Sequence, residues 1–318
     1  MLIKSVDDKA KRLAFLKELQ RSSLLDRRQQ EWLRDEHHRT QRGMAGERDA
    51  AHYLDNYLKD DADRVLLHDL RFQVDGDVIQ IDHMVITRSL YVYLLETKNF
   101  NGNLRINEFG EFSVEYPGER LHGIPSPLEQ SRRHEGPLKK LFTTLGIEGR
   151  NGGVAQFHHC VLLRPSSLIH RPPASKLDTS NVIKADQFRA WHEKFKDQNS
   201  GVGAIVGSIL NIRSSDTIRD FAHKLVRQHR PADLLTLPAF MASPSAGQDG
   251  AATASKSVPA ALHRAGRDDT SKPATDRRRL ICATCGSKIA FSEGKFCWNN
   301  ERRFGGLQYC RAHQAAVR

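Results

Sequence analysis

Between Val78 and Lys98 two strongly apolar runs carry ionisable side chains at their ends, and this constrains the fold more than any other feature of the chain. Val78-Ile79 and Met84-Val85-Ile86 flank Gln80-Ile81-Asp82-His83, and Tyr91-Val92-Tyr93-Leu94-Leu95 leads into Glu96-Thr97-Lys98. Runs of this kind predict buried strands. Ionised groups are costly to bury unless paired or bound to metal. Two carboxylates and an ammonium at the ends of core strands therefore mark a site. The polar break Arg88-Ser89 predicts an antiparallel hairpin centred on Ser89, which sets position 82 opposite position 96. Opposed residues share a face, with Cβ atoms about 5 Å apart. The strand period of two brings Lys98 to the same face, and a slip of one residue would scatter the group. The same residues also admit a plain ion pair of Asp82 with Lys98 at a strand end.

Asp82 followed by Glu96-x-Lys98 on adjacent strands resembles the catalytic core of the PD-(D/E)xK nuclease superfamily, and within it the nuclease-related (NERD) domain. Gly46-Glu47 opens a helix upstream, Gly76 precedes Gln80-Ile81-Asp82-His83, Glu96-Thr97-Lys98-Asn99 is followed by Gly102, and Pro127 to Gln130 begin a later helix. Ile81 stands where the superfamily's name has proline. The resemblance spans roughly residues 43 to 165. It implies an α/β fold, a restriction-endonuclease-like mixed sheet flanked by helices. It also implies Mg²⁺- or Mn²⁺-dependent hydrolysis of DNA phosphodiesters. Asp82 and Glu96 would hold the ion, and Lys98 would act on the attacking water and on the phosphate. Glu47 would be a metal-side carboxylate and Gln130 a water- or phosphate-orienting amide.

The flanking residues bear this out in pattern. In the helix expected over Met44 to Leu58, Glu47 shares a stripe with Ala50, Ala51, Leu54 and Leu58, so it faces inward near the helix start. Capping its own helix is the other reading of Glu47. Gln130 lies on the stripe of His134, Leu138, Leu141 and Leu145, and an ordinary helix start accounts for it as well. His83 points away from Asp82 and reads as a packed core histidine, and Cys160 as a buried thiol.

A second constellation closes the chain: Cys282-Ala283-Thr284-Cys285, Cys297, and Cys310-Arg311-Ala312-His313. Cys-x2-Cys with a distant Cys-x2-His is the spacing of two zinc knuckles, making Cys282, Cys285, Cys310 and His313 the preferred tetrahedral set, with Cys297 the alternative ligand. So short a zinc-ribbon-like segment buries little core, and Zn²⁺ would supply its folding free energy. From Asp276 to Arg318 nine Lys or Arg face three Asp or Glu, +6 of the chain's +11. Arg277-Arg278-Arg279, Arg302-Arg303-Phe304, Trp298 and Tyr309 mix charge with stacking surface, as nucleic-acid contact requires.

Five segments follow. Residues 1–42 read as a charged N-terminal long helix or helical pair with apolar points at Leu13, Leu16, Leu19, Leu24, Leu25 and Trp32. Residues 43–170 form the nuclease-related domain, 171–237 a helical extension carrying Phe188, Trp191, Phe195, Ile205, Ile209, Ile218, Phe221 and Leu225, 238–279 a flexible linker, and 280–318 the zinc module. A pI near 9.5 favours polyanionic partners, DNA over RNA. A protein partner on the N-terminal helix or the zinc module is also open. No long apolar run or signal peptide stands out, which predicts a soluble cytoplasmic protein. The competing function is a catalytically silent nucleic-acid-binding or scaffold protein that keeps the nuclease fold. Retention of Asp82, Glu96 and Lys98 together favours the enzyme, since carboxylates without metal repel phosphate.

Overall fold

A computed structural model describes residues 1–118, 120–198 and 212–241, and in the C-terminal part 282, 284–285, 287, 289, 296–297, 300–304 and 308–315. The chain divides into two units, Met1–Ala254 and Ser255–Arg318. Ile205, Ile209, Trp298, residues 277–279 and the linker residues 242–279 lie outside the described set, as does the Arg302 side chain.

The first unit is mixed α/β, as predicted. Its main sheet runs in the order β1 (Leu2–Lys4), β2 (Arg64–Val74), β3 (Asp77–Thr87), β4 (Tyr91–Lys98), β8 (Gln156–Leu163) and β10 (Val182–Lys184). The pairs β2–β3 and β3–β4 are antiparallel, and β1–β2, β4–β8 and β8–β10 are parallel. The hairpin register is the predicted one: His83 faces Leu95 and Ile86 faces Val92, and continuing it sets Asp82 against Glu96. A second sheet, in the order β7 (Leu121–Ile124), β6 (Phe112–Glu115), β5 (Asn103–Ile106) and β9 (Ile169–His170), packs its apolar side chains against Val161, Leu163 and Val182.

Helices cover both faces of the main sheet. On one side α3 (Pro127–Thr144) and α5 (Ser215–Gln228) bury Leu138, Leu141, Ile218, Phe221 and Leu225 against Leu67, Met84, Ile86 and Leu94. On the other, α2 (Arg27–Leu58) and α4 (Phe188–Gln198) bury Ala50, Leu54, Leu58 and Phe188 against Leu66, Val85, Tyr93 and Leu95. Among the described residues no helix is long and apolar enough to cross a membrane.

Three expectations change. The helix carrying Glu47 starts at Arg27, capped by Asp26 in a capping box with Gln29, so Glu47 lies mid-helix and caps nothing. Residues 27–42 are rich in helix formers and present no stop signal, so the helix runs through the expected boundary at residue 43. The N-terminal segment is a helical pair of α1 (Ala10–Leu19) and α2 preceded by a strand, with Leu16, Leu33 and Met241 buried together and Leu19, Leu25, Trp32, Leu237 and Phe240 around them. Of its apolar points, Leu16, Leu19, Leu25 and Trp32 are thereby used internally, Leu24 is 88% exposed, and Leu237, Phe240 and Met241 are packed where the linker was expected to begin.

Candidate functional site

An open cleft of about 680 Å³ gathers all five residues expected at the nuclease-like site: Glu47, Asp82, Glu96, Lys98 and Gln130. The middle of β3 supplies Asp82, the end of β4 supplies Glu96 and Lys98, and the first turn of α3 supplies Gln130. Lys98 Nζ donates to Glu96 Oε1 at 2.7 Å and to Gln130 Oε1 at 3.1 Å. Asp82 Oδ2 accepts the backbone N–H of Thr97 at 2.8 Å. The direct ion pair of Asp82 with Lys98 is absent, and the lysine's carboxylate is Glu96.

Glu47 reaches the cleft because α2 passes close to the end of β4. A Cβ on Gly46 would lie 2.6 Å from Asn99 Cβ, so only glycine permits the approach, and Asn99 Nδ2 donates to the Arg42 carbonyl at 2.7 Å. Residues of opposite elements, Gly46-Glu47 and Asn99, are thus one packing unit. Arg42 and Arg39, about one and two turns upstream on α2, stand at the rim with His134 and the rings of Phe100 and Tyr116.

The site's electrostatics are those of crowded acids. Burial, then the nearby Glu96 charge, pushes the Asp82 carboxyl up to about 7. Burial and the Asp82 charge push Glu47 up to about 7 despite the opposing Lys9 ammonium. Burial also raises Glu96, which Lys98 offsets in part. Oxygen donors lining an open cleft, each raised chiefly by burial, suit a hard divalent cation that keeps several waters. Asp82 and Glu96, opposed across the hairpin, are oxygen donors that could hold one.

Two parts of the site escaped sequence reading. Lys9, from the segment before α1, donates to Glu47 Oε2 at 2.7 Å and lies 2.9 Å from Asp69 Oδ2. Asp69 interrupts β2 with φ 49°, and the β2–β3 register passes from His68–His83 to Leu70–Ile81 without an Asp69–Asp82 rung. The buried phase changes there in both strands, since Val65, Leu67, Leu70 and Phe72 share one core with Ile79, Ile81, Met84 and Ile86. Asp69 was visible as a charge inside the apolar run Val65 to Leu70, whereas Lys9 is one lysine among many.

Behind Asp82 lies a buried chain of hydrogen bonds. Asp55 Oδ1 meets His68 Nε2 at 3.0 Å, the two Nδ1 atoms of His68 and His83 lie 2.7 Å apart, and His83 Nε2 meets Thr97 Oγ1 at 3.0 Å. An ionised carboxylate only accepts, which puts protons on His68 Nε2, His83 Nδ1 and the Thr97 hydroxyl in turn. Burial lowers both imidazoles, His83 well below its ordinary value, and keeps them neutral. His83 is the packed core histidine predicted. Thr97, fixed by its hydroxyl, presents its backbone N–H to Asp82.

In the second unit Cys282, Cys285, Cys310 and His313 place their ligand atoms within 4.8 Å of one another. His313 Nδ1 lies 3.5 Å from Cys282 Sγ and 3.2 Å from Cys310 Sγ, and Cys285 and Cys310 sulfurs are 3.9 Å apart. A tetrahedron with metal–sulfur bonds of about 2.3 Å has edges of about 3.8 Å, so the group fits a zinc-sized ion. Cys297 is buried outside it and accepts from Tyr309 N and Gln314 Nε2. Phe304, expected as stacking surface, is 2% exposed and packs on Tyr309 and Phe296, so the face it would have offered is part of a small core. Cys160 is a buried free thiol, as predicted.

No curated protein and no solved structure matches the chain. Residues 42–163 match the family model of the nuclease-related domain, an interval that holds every residue of the cleft's catalytic-type group and ends at the last residue of β8. The chain therefore carries a nuclease-related domain over residues 42–163, accompanied by a C-terminal Cys3His group able to hold a metal.

Proposed function

We propose that the protein is a metal-dependent nuclease that hydrolyses phosphodiester bonds, with DNA as its substrate. The observation that carries it is the convergence of Asp82, Glu96, Lys98, Gln130 and Glu47 on one open cleft with a cationic rim. Asp82 and Glu96 hold Mg²⁺ or Mn²⁺, with Glu47 opposite them on α2. Such an ion acts as a Lewis acid on the phosphoryl oxygen and lowers the pKa of bound water. The chain's own groups do the remainder. Lys98 keeps its ammonium in the cleft by donating to Glu96 and Gln130, where it stabilises charge developing on the phosphate. Gln130 commits its carbonyl to Lys98 and turns its amide N–H groups to water or phosphate. Arg39 and Arg42 neutralise flanking phosphates at the rim.

The Cys3His group holds Zn²⁺, and its surrounding charge of +6 from Asp276 to Arg318 adds affinity for nucleic acid. Reduced thiols of this kind suit a reducing cytoplasm.

Incubating linear, nicked and supercoiled DNA, and RNA, with the protein and Mg²⁺ or Mn²⁺ tests the reading. Asp82→Ala, Glu96→Ala and Lys98→Ala should each slow cleavage by about a hundredfold or more while the melting curve stays cooperative. Cleavage that survives all three substitutions removes the assigned site, and binding without cleavage favours the silent nucleic-acid-binding alternative.

A further inference from the structure

Lys9 stands outside the matched domain yet pairs with Glu47, which lines the cleft, and with Asp69, which lines the adjoining pocket. Its ammonium bridges Glu47 Oε2 at 2.7 Å and Asp69 Oδ2 at 2.9 Å, with the Lys9, Glu47 and Asp69 side chains only 20%, 18% and 6% exposed. We propose that Lys9 is the site's resident second cation: it holds Glu47 and Asp69 in a closed ion-paired corner and leaves Asp82 and Glu96 to take a single divalent ion. This rests on the function proposed above.

The charge balance points the same way. With all four ionised, as metal binding requires, Glu47, Asp69, Asp82 and Glu96 carry four negative charges against two positive ones on Lys9 and Lys98, which leaves −2 for one divalent ion to cancel. Arg39, Arg42 and His134 stand at the cleft rim, and Arg133 acts on Glu96 through its field. A second divalent ion would have to displace an ammonium that makes two short ion pairs in a largely closed corner.

The strap that brings Lys9 in is itself anchored. Lys4 Nζ donates to the carbonyls of His68 and Asp69, each at 3.0 Å, and pairs with Asp7 Oδ1 at 2.7 Å. Asp7 Oδ2 meets His229 Nε2 at 3.0 Å, and His229 Nδ1 accepts the backbone N–H of Arg71. The strap is therefore tied on both sides of the Asp69 kink, and Lys9 is placed by tertiary structure. Lys9 is a positioning residue. It lines a neighbouring pocket with Asp69, and it acts on the ion through Glu47.

Counting Mn²⁺ by electron paramagnetic resonance and by calorimetry on the full, zinc-loaded chain tests this without reference to cleavage. The wild type should bind one Mn²⁺ that Asp82→Ala abolishes. Lys9→Met, which keeps the stem and removes the charge, should bind two, and Lys9→Arg should return to one. Two Asp82-dependent ions in the wild type, or one ion in Lys9→Met, overturn the proposal while leaving the nuclease reading in place. No Asp82-dependent ion in the wild type overturns both. Acylation of the wild type, followed by mass spectrometry, covers the case in which Lys9→Met fails to fold. Lys9 protected equally with and without Mn²⁺ supports the proposal, and Lys9 uncovered by Mn²⁺ overturns it.

Discussion

Acids held near neutrality are the defining residues of the cleft. Asp82 and Glu47 titrate at about 7 in the folded chain, against 3.8 and 4.5 for the ordinary groups. Between those limits the folded state binds more protons than the unfolded one, so metal-free stability falls as pH rises from about 4 through 7. A divalent ion competes with the same protons. In chelator the melting temperature should therefore drop between pH 5 and 7.5. Added Mn²⁺ should raise it more at pH 7.5 than at pH 5, and cleavage should climb from pH 6 to 8. Calorimetric scans across that range check the first two, and a melting temperature that rises with pH in chelator would contradict them. Asp82, Glu96 and Lys98 were legible because ionised groups inside apolar runs are expensive and therefore conspicuous. Lys9 was not legible, because nothing local separates it from Lys11, Lys17 or Lys4.

Elements were read well where their periodicity was strong. The hairpin about Ser89 has the expected register, since two apolar runs joined by a short polar break leave little choice. Helix α2 shows the opposite case. Gly46-Glu47 suggested a helix start, yet Gly46 serves the contact with Asn99 and the helix runs from Arg27. Two magnitudes compete at that position. Alanine in a helix interior is favoured over glycine by about 1 kcal/mol, whereas overpacking costs about 1–3 kcal/mol. A Cβ at 2.6 Å from Asn99 Cβ makes the second term prevail. Gly46→Ala should lower stability by about 1 kcal/mol in chemical denaturation and weaken Mn²⁺ binding by moving Glu47. A stabilised variant would show that α2 and the end of β4 shift apart freely.

For the whole molecule, the two units call for separate tests. Cys282→Ser, Cys285→Ser, Cys310→Ser and His313→Ala should each lose the bound zinc, while Cys297→Ala should keep one equivalent, because the Cys297 sulfur accepts two N–H groups outside the ligand cluster. Metal analysis of the purified variants decides it, and equal loss in Cys297→Ala would return Cys297 to the ligand set. Deleting residues 276–318 removes nine Lys or Arg. It should flatten the salt dependence of DNA binding by about 0.9 in log–log slope for each phosphate that these residues neutralise. An unchanged slope would take the C-terminal unit out of nucleic-acid binding.

By itself the sequence determined the strand pair, its register, the acids and lysine upon it, and the four metal-type ligands at the end, since spacing along the chain sets each of these. Only the tertiary structure decided that α2 lies against Asn99, that Asp69 kinks away from its rung, and that a strap from the chain's start carries Lys9 to Glu47. The α2–Asn99 contact and the Lys9 ion pairs join residues 38 to 60 positions apart, and their energy comes from burial and charge neutralisation, which no local pattern of residue types records.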